Sequence, residues 1–247
     1  MMRLRYICIV LMQLATSISI AQDQFKLMTY NLLEFPEAPP DNREHLLNDI
    51  LSEIEPDLLL VQELQSPTGA DLIEDISLNY STADMKAADF VFNTSGGNNL
   101  NQLLFYNADI FSLMTTYQIP TSLRDINYYK LELKTADPTT FPVEIHVFVA
   151  HLKASQGDSN EQWRFNMILQ FTNYLASLPA DARVILAGDM NFYSGNENGL
   201  QQLVSGDSPI PLSDPVDQIG NWHTNPSFTD IHTQSTRQSN NAFNGFG

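Results

Sequence analysis

Cysteine is almost missing from this chain: among 247 residues there is one, Cys8. It lies in the segment Met1–Ala21, where Arg3 and Arg5 precede an apolar run and Ser19-Ile20-Ala21 precedes the polar Gln22-Asp23. That is the layout of a secretory signal peptide with a small-residue cleavage site. With the segment removed, the expected mature chain, residues 22–247, has no disulfide, no thiol nucleophile and no zinc–thiolate site. Basic residues are scarce too, 12 Lys and Arg against 29 Asp and Glu, a formal net charge of −17 that becomes −19 without Arg3 and Arg5. A broad basic face for polyanions is thereby disfavoured, and a phosphate-bearing substrate would need a local cation, most economically a metal ion. Long apolar runs are also lacking. A spanning helix needs about 20 predominantly apolar residues, and the one candidate is interrupted by Gln13, Thr16, Ser17 and Ser19. Cleavage is therefore expected rather than anchoring, with no membrane span in the mature chain and a secreted or periplasmic location. What remains suits one domain with a sizeable core.

What is there alternates between strands and helices. "FKLMTYNL", Phe25 to Leu32, reads as a first strand. Asp41 stands three residues before Glu44 in a capping-box arrangement, and Leu46, Leu47, Ile50, Leu51 and Ile54 then form one apolar stripe that Pro56-Asp57 ends. "LLLVQEL", Leu58 to Leu64, reads as a strand covered on both faces, and Ser66-Pro67 opens another short helix. Further strands are expected at Asp89–Asn93, Gln102–Asn107, Asn127–Lys134 and Val143–His151. Asp158 and Glu161 cap a helix whose Phe165, Ile168, Phe171, Leu175 and Leu178 share a face, and it leads into "VILAGDMNFY", Val184 to Tyr193. Beyond Gly206 the periodicity fades.

Four of these strands change from apolar to polar where they end. Asn31 closes the first, Glu63 the second, His151 the strand "VFVAH", and Asp189 with Asn191 the last, the two lying two residues apart and so expected on one side of an extended chain. The carboxyl ends of strands are where α/β sheets build sites. Carboxylate and amide oxygens are hard ligands, suited to Mg²⁺, Mn²⁺ or Ca²⁺, and histidine adds a proton donor or phosphate partner. If the four ends converge, the chemistry implied is phosphoester hydrolysis. Singly, each residue has a plainer account: a turn for Asn31 and Gly188-Asp189, an ion pair for Glu63, a satisfied core position for His151.

Taken in order, "LMTYNLL", "PDLLLVQEL", "VFVAHLKAS" and "ILAGDMNF" resemble the motifs of the endonuclease/exonuclease/phosphatase superfamily, the deoxyribonuclease I-like fold. The resemblance implies an α/β (α+β) four-layer sandwich, two mixed β-sheets packed face to face with helices on both outer faces. It implies that Glu63 holds a divalent metal with help from Asn31. By the same resemblance His151 binds or protonates the scissile phosphate, Asp189 aligns the attacking water, and Asn191 orients the phosphate and Asp189. Lys153 stands just beyond His151, where a phosphate contact competes with an ordinary solvated lysine. Family members go on to an Asp-bearing strand and an adjacent Asp-His pair. Here "SFTDIHTQ" offers only Asp230 and His232, separated by Ile231, and the chain ends in "NNAFNGFG". The expectation is of a chain incomplete at its C-terminus and lacking the last strands. As function, a secreted phosphodiesterase acting on nucleic acid is expected ahead of a sphingomyelinase-type phospholipid phosphodiesterase, with no obligate protein partner. A non-catalytic, ion-stabilised binding module is the reading from another class.

Overall fold

In the computed structural model, residues 24–81, 83–96, 100–134 and 142–231 are described; the expected signal segment and His232 lie outside them. The elements run β1 (Leu27–Phe35), α1 (Glu44–Ile54), β2 (Leu58–Leu64), α2 (Pro67–Tyr80), β3 (Met85–Ala87), β4 (Asn101–Asn107), β5 (Phe111–Ile119), β6 (Ile126–Leu133), β7 (Val143–His151), α3 (Asp158–Leu175), β8 (Val184–Asp189) and α4 (Asn198–Val204), followed by a 3₁₀ turn at Pro226–Ile231. The strands form two sheets of four, ordered β1-β2-β4-β3 and β5-β6-β7-β8. Both are mixed. β1 runs parallel to β2 while β4 is antiparallel to β2 and β3, and β8 runs parallel to β7 while β5, β6 and β7 alternate.

Side-chain alternation along β7 shows how the layers stack. Ile145, Val147 and Val149 enter the core that also contains Leu58–Val61 of β2 and Leu103–Phe105 of β4, so the two sheets face each other. Phe148 and Ala150, pointing the other way, pack with Met167, Ile168 and Phe171 of α3. Leu47 and Leu51 of α1 and Ile73 and Ile76 of α2 cover the first sheet. The result is the expected sandwich with helices on both outer faces. Each fully buried Leu or Phe contributes roughly 1.5–3 kcal/mol of transfer free energy, and Leu51, Leu58, Leu60, Val61, Phe148 and Phe171 have no exposed surface at all.

Several local expectations are corrected. Asp89–Asn93 is not a strand; the short β3 just before it pairs with β4 instead. Side-chain bonds pin the segment in place of a ladder, with Asn93 N donating to Asn101 Oδ1 and Asn93 Oδ1 accepting from Asp125 N. β5 arises where no strand is expected, because Ser112, Thr115, Thr116 and Gln118 blur its alternation; it is an end strand, largely open on one face and bulged between Leu113 and Thr115. The capping box of Asp41 and Glu44 does not form. Arg43 occupies the cap of α1 without a side-chain capping bond, and its guanidinium instead donates to the carbonyls of Leu32 and Leu33. Asp158 and Glu161 lie within the first turn of α3, whose cap is Gly157, and α3 ends at Leu175 rather than Leu178. Ser66 behaves as expected: its side chain accepts from Gly69 N and Pro67 occupies the first helical turn.

Candidate active site

Glu63, His151 and Asp189 stand at or next to the carboxyl ends of β2, β7 and β8, whereas Asn31, expected to close the first strand, lies within β1, which runs on to Phe35; the packed sheets bring the four together. Within the parallel pair β1–β2 Asn31 sits in register with Gln62, after which the ladder shifts and Glu63 takes a left-handed backbone, φ 60°. Glu63 thereby leaves the alternation of β2 and is partly exposed in an otherwise buried strand. Within the parallel pair β7–β8 His151 lies in register with Asp189, and Leu152 N donates to Asp189 O. Gly188 is required here: with φ at +139°, a Cβ would stand 2.0 Å from the carbonyl oxygen of Ala150.

Asn31 joins the two sheets. Its Nδ2 donates to Glu63 Oε1 at 2.9 Å and to Asp189 Oδ2 at 3.0 Å. Its Oδ1 accepts from Leu33 N at 2.9 Å, which fixes the amide orientation and turns the oxygen away from the carboxylates. His151 Nε2 is 3.8 Å from Glu63 Oε1 and 3.7 Å from Asp189 Oδ2, beyond hydrogen-bonding range. One ligand atom from each of Glu63, His151 and Asp189 lies within 4.8 Å of the others. The His151 side chain is 4% exposed, Glu63 14% and Asp189 31%, so the cluster opens on its Asp189 side.

Burial raises the Glu63 carboxyl above its ordinary range; the Asn31 bond opposes this and the Asp189 charge adds to it. Burial also holds the His151 imidazole far down, to about 3, with Arg124 pushing the same way. His151 is therefore neutral at pH 7. Its Nδ1 is buried without a hydrogen-bond partner among the described residues, while Nε2 faces two carboxylates, so the single N–H belongs on Nε2. The donor set fits a divalent cation. Two carboxylates share a half-buried space with only a neutral amide between them, and hard oxygens suit Mg²⁺, Mn²⁺ or Ca²⁺. For Asn31 to add its oxygen as a ligand, the amide would have to turn over.

Asn191 does not simply project beside Asp189. Strand geometry stops at Asp189, and Asn191 takes a left-handed conformation, φ 50°. Its backbone N donates to Asp189 Oδ1 at 3.2 Å, and its side chain donates to Leu152 O at 3.1 Å. Lys153 is half-buried, its Nζ donating to Ala154 O, and burial together with Arg124 and Arg164 lowers its affinity for a proton. Asp230 is exposed on the 3₁₀ turn and forms no part of the cluster. Sequence reasoning passes over Arg124. Its guanidinium is buried, donates from Nη1 to the carbonyls of His151 and Leu152, and is attracted by both Glu63 and Asp189. The available signal is an arginine at the start of a strand in a chain with only 12 Lys and Arg.

The sequence model of the Endonuclease/Exonuclease/phosphatase family matches residues 28–240. The chain belongs to that family. Its members are phosphoric ester hydrolases that use divalent metals, and the cluster of Glu63, His151 and Asp189 falls inside the matched region. No curated protein matches the chain in sequence. Among solved structures, the human Nocturnin catalytic domain with bound sulfate is 20% identical with a TM-score of 0.57, the match covering 74% of this chain and 70% of that one. A humanized D. rerio TDP2 is 16% identical, TM-score 0.52, covering 68% and 66%. A functionally unknown protein of Enterococcus faecalis V583 is also 16% identical, TM-score 0.52, covering 72% and 70%. At these identities the likeness is one of fold.

Proposed function

We propose that this member of the family is a secreted, divalent-metal-dependent phosphodiesterase whose substrate is nucleic acid. The observation that carries the reading is the convergence of Glu63, His151 and Asp189, from two different sheets, around the amide of Asn31. A divalent cation held by Glu63, with Asn31 and Asp189 at its side, would neutralise charge on the phosphoryl group. Each protein group then has a task. The Asp189 carboxylate, aligned by the backbone N of Asn191, accepts a proton from the attacking water. The new P–O bond forms from that water as the ester P–O bond opposite breaks; the departing oxygen takes up a proton from solvent, and Asp189 returns its own proton to solvent. The neutral His151 donates Nε2–H to a phosphoryl oxygen, which needs no change in its protonation. Arg124 holds the turn that carries His151 and adds fixed positive charge behind it.

Nucleic acid as the substrate is supported by a TDP2 structure of the same fold described with a single-strand DNA product, TM-score 0.51 and 16% identity, covering 68% of this chain and 61% of that one. The net charge of −17 argues that recognition is local to the site rather than spread over the surface. Export is proposed from the composition of Met1–Ala21, and the mass of protein recovered outside the cell would show whether cleavage occurs.

Hydrolysis of a phosphodiester reporter should be abolished by EDTA and restored by Mg²⁺ or Mn²⁺. Glu63→Gln and Asp189→Asn should each reduce kcat/KM by about 10²-fold or more while leaving a cooperative melt. Single-stranded DNA and RNA should be cleaved in preference to sphingomyelin. Full activity in EDTA, or sphingomyelin as the preferred substrate, would overturn the reading in its metal or its substrate respectively.

A further inference from the structure

Among the described residues, the largest fully buried side chain is an arginine. Arg164, on α3, has no exposed surface, yet it does not face the apolar core alone. Its Nε donates to Glu197 Oε2 at 2.7 Å, and its Nη1 donates to Lys153 O at 2.8 Å and to Ser155 O at 2.9 Å. The guanidinium also lies over the ring of Tyr193, 5.4 Å from its centroid. Glu197 is buried in turn and reaches back through Oε1 to accept from Tyr193 N at 2.7 Å. Three segments meet at this pair: the loop that follows β7, the loop that follows β8, and the start of α4. The first two begin immediately after His151 and Asp189. A further bond, Asn191 Nδ2 to Leu152 O, joins the same loops nearer the cluster.

A buried ion pair is weak evidence of stabilisation, because desolvating both ions offsets much of their attraction. A planar fork that spans a carboxylate and two carbonyls, however, fixes geometry that an apolar pair cannot. The loop after β7 needs fixing, since Ser155 and Gly157 both have left-handed backbones, φ 80° and 101°. We propose that Arg164 and Glu197 are positioning residues for phosphoester hydrolysis, holding the post-β7 loop against the post-β8 loop so that His151, Lys153, Asp189 and Asn191 keep their mutual placement. The inference rests on the proposed function for its catalytic consequence. Its structural content stands separately, because the pair's hydrogen bonds go to Lys153, Ser155 and Tyr193 rather than to Glu63 or Asn31.

Misplacement by about 1 Å costs roughly 10²-fold in rate, so Glu197→Gln, which keeps the shape and removes the charge, should lower kcat by about 10- to 100-fold on the phosphodiester reporter. The Mn²⁺ dissociation constant should rise by less than kcat falls, since of the groups around the ion only Asp189 depends on these loops, Glu63 and Asn31 being held by the other sheet. Arg164→Lys, which keeps the charge and loses the fork, should fall between wild type and Arg164→Met in kcat. Independently of activity, Glu197→Gln should speed amide hydrogen exchange at Leu152 and Tyr193 while leaving Ile185 and Ala187 of β8 unchanged. Unaltered exchange at Leu152 and Tyr193 overturns the proposal. So does wild-type kcat per folded molecule with only a lowered melting temperature, or failure of both Glu197→Gln and Arg164→Lys to fold at any temperature, which assigns the pair to the fold alone. A wild-type protein without metal-dependent hydrolysis would refute the proposed function instead, and the exchange measurement would still decide the positioning role.

Discussion

Gly188 and Asn31 show how single residues set the site. The carbonyl of Ala150 passes so close to Gly188 that any side chain must displace the strand bearing Asp189. Gly188→Ala should therefore destabilise the protein by about 3 kcal/mol or more, read from urea denaturation; a loss under about 1 kcal/mol would show that β8 can shift without consequence. Asn31 has a different task, since its two amide protons satisfy carboxylates from different sheets while its oxygen is taken by Leu33 N. Away from the site, His146 tests the electrostatics of burial. Burial lowers its proton affinity, and the hydroxyl of Tyr128, itself raised by burial to about 12, shares a hydrogen bond with His146 Nδ1 at 2.8 Å. A histidine depressed in the folded state contributes stability that is present above its unfolded value, about 6.5, and that is lost as pH falls through the folded value. Wild type should thus lose more stability between pH 7 and pH 5 than His146→Gln, which keeps a hydrogen-bonding partner for Tyr128. Parallel pH profiles of the two proteins would contradict the assignment.

At the level of elements, the best-read parts of the sequence were those with local causes. Ser66-Pro67 starts α2 as its chemistry dictates, and Ser66→Ala should cost about 1 kcal/mol in a denaturant titration; no change would mean that Pro67 alone sets the helix start. The ends of β2, β7 and β8 were legible because an apolar run that stops at Glu63, His151 or Asp189 marks where a buried strand meets solvent, whereas β1 runs past Asn31 to Phe35. Other features depend on partners distant in sequence and so left no local trace. Asp89–Asn93 has strand composition, but its hydrogen bonds go to Asn101 and Asp125. β5 hides behind its polar residues because one face is largely open. The apparent capping box of Asp41 and Glu44 lost to Arg43, whose side chain is drawn to the carbonyls of β1. Arg124 and the Arg164–Glu197 pair look like ordinary surface charges until the fold buries them.

Across the whole molecule, the charge balance and the site belong to one explanation. A protein with 29 acidic and 12 basic residues attracts cations generally, yet among the described residues only Glu63, His151 and Asp189 gather compactly enough to surround an ion, with the two carboxylates as its candidate ligands. That group exists only because two sheets pack face to face, one bringing Asn31 and Glu63 and the other His151 and Asp189. Neither sheet alone would assemble it, which ties formation of the hydrophobic core to assembly of the site. The most direct measurement is equilibrium Mn²⁺ binding to the folded protein, compared with Glu63→Gln and Asp189→Asn. One tight site should appear in the wild type, weakened by about tenfold or more in each variant. Equal Mn²⁺ affinity in all three proteins would mean that the two sheets do not hold a common ion at this place.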